Sequence, residues 1–132
     1  MDLRILEIAS NTENNKILEK HTHKSKNKNP ICGDEMEISL LVKNNKVVDM
    51  GYECKSCVYC QASVSLLSQN IKEKSLDEIK EFINFCENIF EKTKITFEKK
   101  WINFSELFDK KHKSRKECLL LPIRTMKKAI ND

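Results

Sequence analysis

The sequence predicts a single α+β domain in which an antiparallel hairpin is followed by several helices. Apolar and polar residues alternate over 35–42 and again over 47–54, the pattern of two strands with one buried face. Apolar residues at helical spacing follow over 61–71 and 75–90. Only two glycines and two prolines interrupt the chain, and 39% of its residues are hydrophobic. These observations predict one helix-rich domain that spans residues 1–132.

The composition excludes several classes of protein. A chain of 132 residues buries about two-thirds of its unfolded surface, so it has no need of disulfides to fold. No apolar run approaches the roughly 20 residues of a membrane span, and the N-terminus lacks a signal-peptide pattern. We therefore expect a cytoplasmic protein with no membrane partner. Because reductants keep thiols free in that compartment, we expect the six cysteines to serve metal binding, catalysis or packing.

The charged residues indicate a mixed surface. A net charge of +4 arises from 24 basic and 20 acidic residues. The basic excess is concentrated in 21–28 and 110–116, and neither stretch contains interleaved aromatic residues that could stack on bases. Charge runs of this kind are usually solvated faces, so we expect no nucleic-acid partner.

A short helix is predicted at the N-terminus. Residues 2–8 bring Leu3, Leu6 and Ile5 to one side of a helix. The Ser and Asn residues of 10–15 compete for backbone hydrogen bonds outside helices, so we expect the helix to end there.

The segment before the hairpin is predicted to be a polar, basic loop over residues 20–29. It contains His21 and His23. Two loop histidines are more often surface residues than ligands, although the sequence leaves open whether either one substitutes for a metal ligand.

The predicted hairpin of two strands brings the candidate metal ligands together. Its first strand directs four residues to one face: Met36, Ile38, Leu40 and Val42. Its second strand directs three to the same face: Val48, Met50 and Tyr52. Asn44 and Asn45 suit the tight turn between them, because asparagine tolerates positive φ. Antiparallel strands bring their outer ends together, so Cys32 and Asp34 should lie near the segment 54–60.

Two helices are predicted after the hairpin. The first begins near Cys57 and carries apolar residues at helical spacing: Val64, Leu67 and Ile71. The second begins at a capping box formed by Ser75 and Glu78 and continues to about Phe90. Cys86 continues the apolar stripe of this second helix, so we expect it to be an inert, buried thiol.

The C-terminal third carries two further helical patterns. Four aromatic residues recur at intervals of three and four and predict a core stripe: Phe97, Trp101, Phe104 and Phe108. A terminal helix follows with four inward residues: Leu119, Ile123, Met126 and Ile130. Pro122 should fit its first turn, where a missing N–H is no loss. Cys118 should then lie at or just before the helix start.

The cysteines indicate a metal site of unusual form. Cys54, Cys57 and Cys60 form two overlapping C-x2-C half-sites, a spacing found in runs that bind iron–sulfur clusters. Thiolates favour zinc and iron–sulfur clusters because both prefer soft donors. The second pair of cysteines that a zinc ribbon needs is missing, so that structural site is disfavoured. Alternatively, Cys54 and Cys60 are ordinary small residues.

Three motifs carry a resemblance to a known family: Pro30-Ile31-Cys32-Gly33-Asp34, Cys57-x4-Ala62-Ser63-x-Ser65 and Arg115-Lys116-Glu117-Cys118. In this order, around a strand hairpin, they resemble the U-type iron–sulfur cluster assembly proteins, namely IscU, SufU and the N-terminal domain of NifU. The resemblance implies an α+β fold in which helices pack on one face of an antiparallel sheet.

The resemblance also implies a site and its partners. Carried over by motif, Cys32, Asp34, Cys57 and Cys118 would hold a [2Fe-2S] cluster or iron, with zinc possible in the same site. A cysteine desulfurase would supply sulfur, with Cys118 as the candidate persulfide acceptor, and apo iron–sulfur proteins would receive the cluster. The family does not account for Cys54 and Cys60.

The sequence departs from the family pattern at several points. Residues 9–15 replace an N-terminal motif found in relatives, and Glu117 stands where IscU carries histidine. The long interval between Cys57 and Cys118 is closest to SufU.

Three hypotheses follow from these observations. The first is a non-enzymatic scaffold that assembles [2Fe-2S] clusters. The second is a zinc-bound sulfurtransferase that takes persulfide sulfur from a cysteine desulfurase. The third is a structural interaction protein whose cysteines only pack. The oligomeric state and the identity of the acceptors stay open.

Overall fold

A computed structural model describes residues 3–131 of the chain. Its strands and helices are, in chain order, α1 (Leu3–Ala9), β1 (His23–Lys28), β2 (Glu35–Lys43), β3 (Lys46–Lys55), α2 (Val58–Asn70), α3 (Leu76–Glu87) and α4 (Lys116–Asn131). Three 3₁₀ segments lie between α3 and α4: Ile89–Glu91, Lys99–Glu106 and Lys110–Arg115. Within the described part of the chain, no helix is both long and apolar enough to cross a membrane.

The three strands form one antiparallel sheet in the order β1-β2-β3. At one end of the sheet, Glu35 lies between Lys28 of β1 and Lys55 of β3. α4 packs on β1 and β2, and α2 packs on β3 and α4. The α+β prediction, with helices on one face of an antiparallel sheet, is therefore confirmed. The end at Glu35 is also where the cysteine-bearing segments leave the sheet.

The hairpin forms as predicted, with one exception in β3. Asn44 and Asn45 adopt φ values of 53° and 63°, as the tight turn requires. The register shifts between Leu41 and Val42, which leaves Val48 as an extra residue in β3. This bulge moves Val47 into the core instead of Val48, so the predicted position of Val48 on the buried face was wrong.

The predicted loop over 20–29 is wrong for most of its length, because His23–Lys28 forms β1. The strand has no apolar alternation that would reveal it. Its pairing with β2 holds it, and the buried Ser25 donates a hydrogen bond of 2.7 Å to the carbonyl of Thr125 on α4. Contacts distant in sequence therefore overrule the weak local strand propensity of this segment.

The N-terminal helix exists, but its predicted buried face was partly wrong. Ile5 and Ile8 are buried against the rest of the fold, whereas Leu3 and Leu6 are 78% and 43% exposed. In such a short helix either apolar pair, the two leucines or the two isoleucines, can form the buried face. Packing against α2 buries the isoleucines. The predicted first residue, Asp2, lies outside the described residues.

α2 and α3 follow the predicted patterns closely. The apolar residues predicted for α2 are fully buried: Val64, Leu67 and Ile71. Both halves of the capping box form, since Ser75 Oγ accepts from the N–H of Glu78 and Glu78 Oε1 accepts from the N–H of Ser75. α3 ends at Glu87, and a 3₁₀ turn continues through the position where its predicted end lay. Cys86 is fully buried, as expected.

The aromatic stripe lies in the core but not on an α-helix. Trp101 and Phe104 belong to a 3₁₀ segment, and Trp101 stacks on Phe82 with 4.1 Å between ring centroids. Phe108 is buried just beyond this segment. Phe97 lies outside any helix and packs its edge on Phe85. Intervals of three and four residues occur on both α- and 3₁₀-helices. The spacing therefore predicts that these aromatic residues are buried, but it does not predict which type of helix carries them.

α4 begins earlier than predicted. It starts at Lys116, so Cys118 lies inside its first turn, and Pro122 lies within the helix beyond that turn. The prediction of Pro122 in the first turn was therefore wrong. A proline at this position cannot donate to the carbonyl of Cys118, four residues earlier.

Candidate metal centre

Three side chains from distant parts of the sequence converge at the end of the sheet. The Sγ atoms of Cys32 and Cys118 and a carboxylate oxygen of Asp34 all lie within 4.8 Å of one another. Cys32 is exposed, whereas Asp34 and Cys118 are each only 9% exposed. The group is therefore open to solvent on the Cys32 side and closed behind it.

The loop between β1 and β2 presents Cys32 and Asp34. The side chain of Asn29 accepts from the N–H of Ile31 at 3.0 Å, and its carbonyl accepts from the N–H of Gly33 at 2.8 Å. Gly33 has φ of +80°, a left-handed conformation that glycine adopts without penalty. This sharp turn brings the residues on either side of Gly33 to the same point.

Cys57 joins the group from the opposite side. It is the N-cap of α2 and is half-buried. Its backbone N–H donates to Asp34 Oδ2 at 3.4 Å, and its thiol lies near enough to Cys118 to raise the pKa of the Cys118 thiol. All four residues of the predicted site thus lie together, with Cys57 linked to the others through Asp34 and Cys118.

The electrostatics of the group favour a bound cation. Burial raises the pKa of the Cys118 thiol, and contact with Cys57 and the negative charges of Asp34 and Cys32 raise it further. These neighbours disfavour the ionised form of Cys118 when no positive charge lies among them. A metal ion would relieve that repulsion and stabilise the thiolates. Three thiolates and one carboxylate also match the donor set and number of a tetrahedral site.

A contact between α2 and α4 supports Cys118. The buried hydroxyl of Ser63 donates a hydrogen bond of 2.7 Å to the carbonyl of Leu119. Leu119 follows Cys118 directly in the first part of α4, so this contact from outside the helix helps to hold Cys118 in place. The sequence analysis named Ser63 only as part of a motif.

Cys54 and Cys60 lie beside the group but are not part of the converging set. Cys54 is half-buried at the end of β3, and Cys60 is fully buried in the first turn of α2. Burial raises the pKa of both thiols, and the nearby hydroxyl of Ser56 lowers it. The Ser56 Oγ atom is itself buried and makes no hydrogen bond in the structure. Burial also raises the pKa of Cys86 well above its usual value, which fits an inert thiol.

The two loop histidines lie away from the site. His23 pairs with Leu40, five residues along β2 from Glu35 at the site end. His21 contacts the carbonyl of Leu18 through Nδ1. Neither residue belongs to the converging group.

A groove of about 590 Å³ crosses the polar side of the sheet near Cys54, and residues such as Lys26, Glu37 and Glu53 line it. Neither Cys32 nor Cys118 lines this groove. The converging group is instead a surface site, and Ile31, which is 87% exposed, stands beside Cys32 at its rim. Ile31 belongs to the Pro30-Ile31-Cys32-Gly33-Asp34 motif, but the sequence carries no signal for its exposure.

Comparisons with known proteins agree with this geometry. Residues 2–131 match the NifU-like N-terminal domain family. The chain is 31% identical over 127 residues to the iron–sulfur cluster assembly scaffold protein IscU of Thermotoga maritima, a match that covers 96% of this chain and 89% of that protein.

Solved structures share the fold over nearly the whole chain. A NifU-like protein (N-terminal) from Brucella abortus has a TM-score of 0.88 at 23% identity, with 98% of this chain and 91% of that chain covered. An iron–sulfur cluster assembly scaffold protein for the SUF system from Fervidobacterium islandicum has a TM-score of 0.89 at 26% identity, with 98% and 96% covered. The chain therefore belongs to the NifU-like N-terminal domain family, the U-type iron–sulfur cluster assembly scaffolds.

Proposed function

We propose that this chain assembles [2Fe-2S] clusters on Cys32, Asp34, Cys57 and Cys118, with sulfur from a cysteine desulfurase, and passes them to apo-proteins. The observation that carries the proposal is the convergence of Cys32, Asp34 and Cys118 donor atoms within 4.8 Å. The Cys57 N–H and thiol reach the same group. We further propose that residues 1–132 act as one domain.

The combination of three thiolates and one carboxylate suits a cluster that must later be released. Iron and its clusters bind thiolates strongly, whereas a carboxylate is a harder and weaker partner for them. Asp34 would therefore be the bond that opens first. Because Cys32 is exposed, an acceptor could approach the cluster on that side without unfolding the site.

Sulfur must reach the same group, and we propose Cys118 as its acceptor. Cys118 Sγ lies within 4.8 Å of Cys32 Sγ, and Cys57 is near enough to raise the pKa of Cys118, so sulfur received there is already beside two further thiols. Cys118 is only 9% exposed whereas Cys32 is exposed, so we propose that an incoming persulfide approaches on the side of Cys32 and the neighbouring Ile31. The exposed Ile31 offers an apolar contact for the donor at that entrance.

We propose a cytoplasmic location, because a site built from the thiolates of Cys32, Cys57 and Cys118 needs a compartment whose reductants keep those cysteines free.

Anaerobic reconstitution with ferrous iron, L-cysteine and a cysteine desulfurase tests the proposal. We expect visible absorption bands of a [2Fe-2S] cluster, with iron and sulfide bound in equal amounts. Replacing Cys32, Cys57 or Cys118 with serine should abolish the bands. Cys86→Ser is the matched control, because Cys86 is a fully buried thiol outside the group. Bands that survive all three substitutions would refute the proposal.

The alternative is a zinc-bound sulfurtransferase, and the same donor set supports it. Three thiolates and one carboxylate can also hold tetrahedral zinc. The experiment separates the two: bound zinc that persists through reconstitution, without bands from sulfide bound to iron, favours the transferase.

A further inference from the structure

Cys57 and Cys60 occupy a special pair of positions at the start of α2. Cys57 is the N-cap, with extended φ and ψ of −69° and 167°, and its carbonyl accepts the first hydrogen bond of the helix from Gln61 at 3.0 Å. Cys60 is the third residue of the helix. The Cys57 side chain makes no capping hydrogen bond, and it lies near enough to Cys60 to raise the pKa of the Cys60 thiol. Cysteines in C-x2-C spacing at a helix N-terminus form redox-active disulfides.

The other C-x2-C pair does not have this geometry. β3 continues through Lys55, and Cys57 itself is extended, so the chain from Cys54 to Cys57 is not folded into a turn. Three extended residues span about 10 Å. A disulfide needs Cα atoms within about 7 Å. Of the two C-x2-C partners of Cys57, Cys60 and not Cys54 therefore has the backbone geometry for a disulfide.

We propose that Cys60 is a resolving thiol, which converts sulfur bound on Cys57 into free sulfide at the metal site. This inference rests on the proposed function, because it uses the sulfur that the site receives. The group bound on Cys57 would be a persulfide, in which a second sulfur atom is attached to Sγ.

The reaction balances within the protein. The Cys57 thiolate first attacks the outer sulfur of a persulfide on Cys118, whose pKa the nearby Cys57 raises, and the Cys118 thiolate leaves. The Cys60 thiolate then attacks Sγ of Cys57, and the bond to the outer sulfur breaks. That sulfur leaves as hydrosulfide with the electron pair. The outer sulfur atom is thereby reduced to the level of sulfide, and the Cys57 and Cys60 thiols are oxidised to a disulfide. A dithiol reductant restores both thiols by exchange.

The surroundings of Cys60 suit such a step. Its thiol is fully buried, and burial raises its pKa, so it is protected from reagents in solution. Its proximity to Cys57 replaces the need for a strongly ionised nucleophile. The Ser56 hydroxyl, which makes no hydrogen bond in the structure, lies near the Cys60 thiol and can stabilise its thiolate. The sulfide leaves beside Cys32, Asp34 and Cys118, where iron would be bound.

Loading the full chain with persulfide sulfur tests the proposal. The wild-type chain and Cys60→Ala are treated anaerobically with sodium tetrasulfide and desalted, and sulfide release and intact mass are then followed. We expect the wild-type chain to release sulfide and to give a disulfide-linked peptide that contains Cys57 and Cys60. Cys60→Ala should keep its added sulfur and release sulfide at least roughly tenfold more slowly. Cys86→Ser, which alters another fully buried thiol, should behave as the wild-type chain.

Release from Cys60→Ala at the wild-type rate, or a wild-type disulfide that joins Cys57 to another residue, would overturn the proposal. Cys60→Ser repeats the test with a side chain of nearly the original size, and peptide mapping of the wild-type chain needs no variant. Iron binding is measured separately. If the proposed function is wrong, the wild-type chain fails to bind iron and sulfide. If only the role of Cys60 is wrong, Cys60→Ala binds iron normally and still releases sulfide.

Discussion

The hydroxyl of Ser63 donates a 2.7 Å hydrogen bond to the carbonyl of Leu119, which joins α2 to the turn of α4 that carries Cys118. Replacing Ser63 with alanine should remove this hydrogen bond between the two helices and destabilise the fold by about 0.5–1.5 kcal/mol. It should also weaken iron binding about tenfold, because residues that orient a ligand control metal affinity. Chemical denaturation and iron titration measure the two effects.

Ser65→Ala is the matched control for Ser63→Ala. Ser65 is almost fully buried on the same helix and donates a hydrogen bond of the same length, 2.7 Å, to the carbonyl of Asn11. We expect it to lose stability but to keep its iron affinity. Equal loss of iron affinity in both variants would mean that Ser63 has no specific role in orienting Cys118.

The hairpin and the capped helix α3 could be predicted because their signals are local. Asn44 and Asn45 mark the turn, and Ser75 with Glu78 marks the helix start. β1 could not be predicted, because its polar residues form a strand only through pairing with β2 and contact with α4.

The candidate site was only partly predictable from the residues themselves. Antiparallel strands must bring their outer ends together, so the hairpin brings Cys32 and Asp34 near Cys57. The approach of Cys118 depends on α2–α4 packing, which local patterns do not encode. The family resemblance named Cys118. The Ser63 hydrogen bond could not be anticipated, because it joins residues 56 positions apart.

The conformation of Gly33 predicts how the site loop responds to substitution. Gly33 has φ of +80°, and a Cβ atom there would meet nothing within 4 Å. The obstacle to Gly33→Ala is therefore backbone strain and not a clash, at a cost of about 1–2 kcal/mol. We expect the alanine variant to bind iron more weakly, because the loop would relax and separate Cys32 from Asp34. Iron titration measures the loss.

A second variant, Gly33→Asn, distinguishes backbone strain at residue 33 from the other effects of adding a side chain there. Asparagine tolerates left-handed backbone better than alanine does, so this variant should retain more iron affinity although its side chain is larger. A weaker affinity for Gly33→Asn than for Gly33→Ala would contradict an origin in backbone strain.

The capping box of α3 predicts a pH-dependent contribution to stability. The backbone N–H of Ser75 donates to Glu78, and Lys100 lies 2.9 Å from its carboxylate; together they lower the pKa of Glu78 to about 2. A carboxyl with a lowered pKa in the folded state stabilises the protein above its unfolded pKa, and this contribution is lost as the pH falls through the folded value. Glu78→Gln should therefore be less stable than the wild-type chain at neutral pH, by about 0.3–1 kcal/mol.

The difference between the two chains should narrow below pH 4.5 and vanish near pH 2. Glutamine keeps the shape and the acceptor of the capping box, so the comparison isolates the charge. Denaturation at several pH values measures it. A difference that stays constant across this range would show that the charge of Glu78 contributes nothing.

Asp34 is the proposed weak point of the cluster site, and its replacement should slow release. In Asp34→Ala, the hard carboxylate that solvent and acceptor thiols can displace is gone, and one negative charge beside Cys118 is removed. We expect the cluster to be transferred about tenfold more slowly to an apo-ferredoxin, a change of about 1.4 kcal/mol in the barrier. Loss of visible absorption from the donor, followed in time after the acceptor is added, measures the rate.

Asp49→Ala removes a carboxylate on β3 near the hairpin turn, far from the site, and should leave the rate unchanged. An unchanged rate in Asp34→Ala would refute the role of Asp34 as the exchangeable ligand.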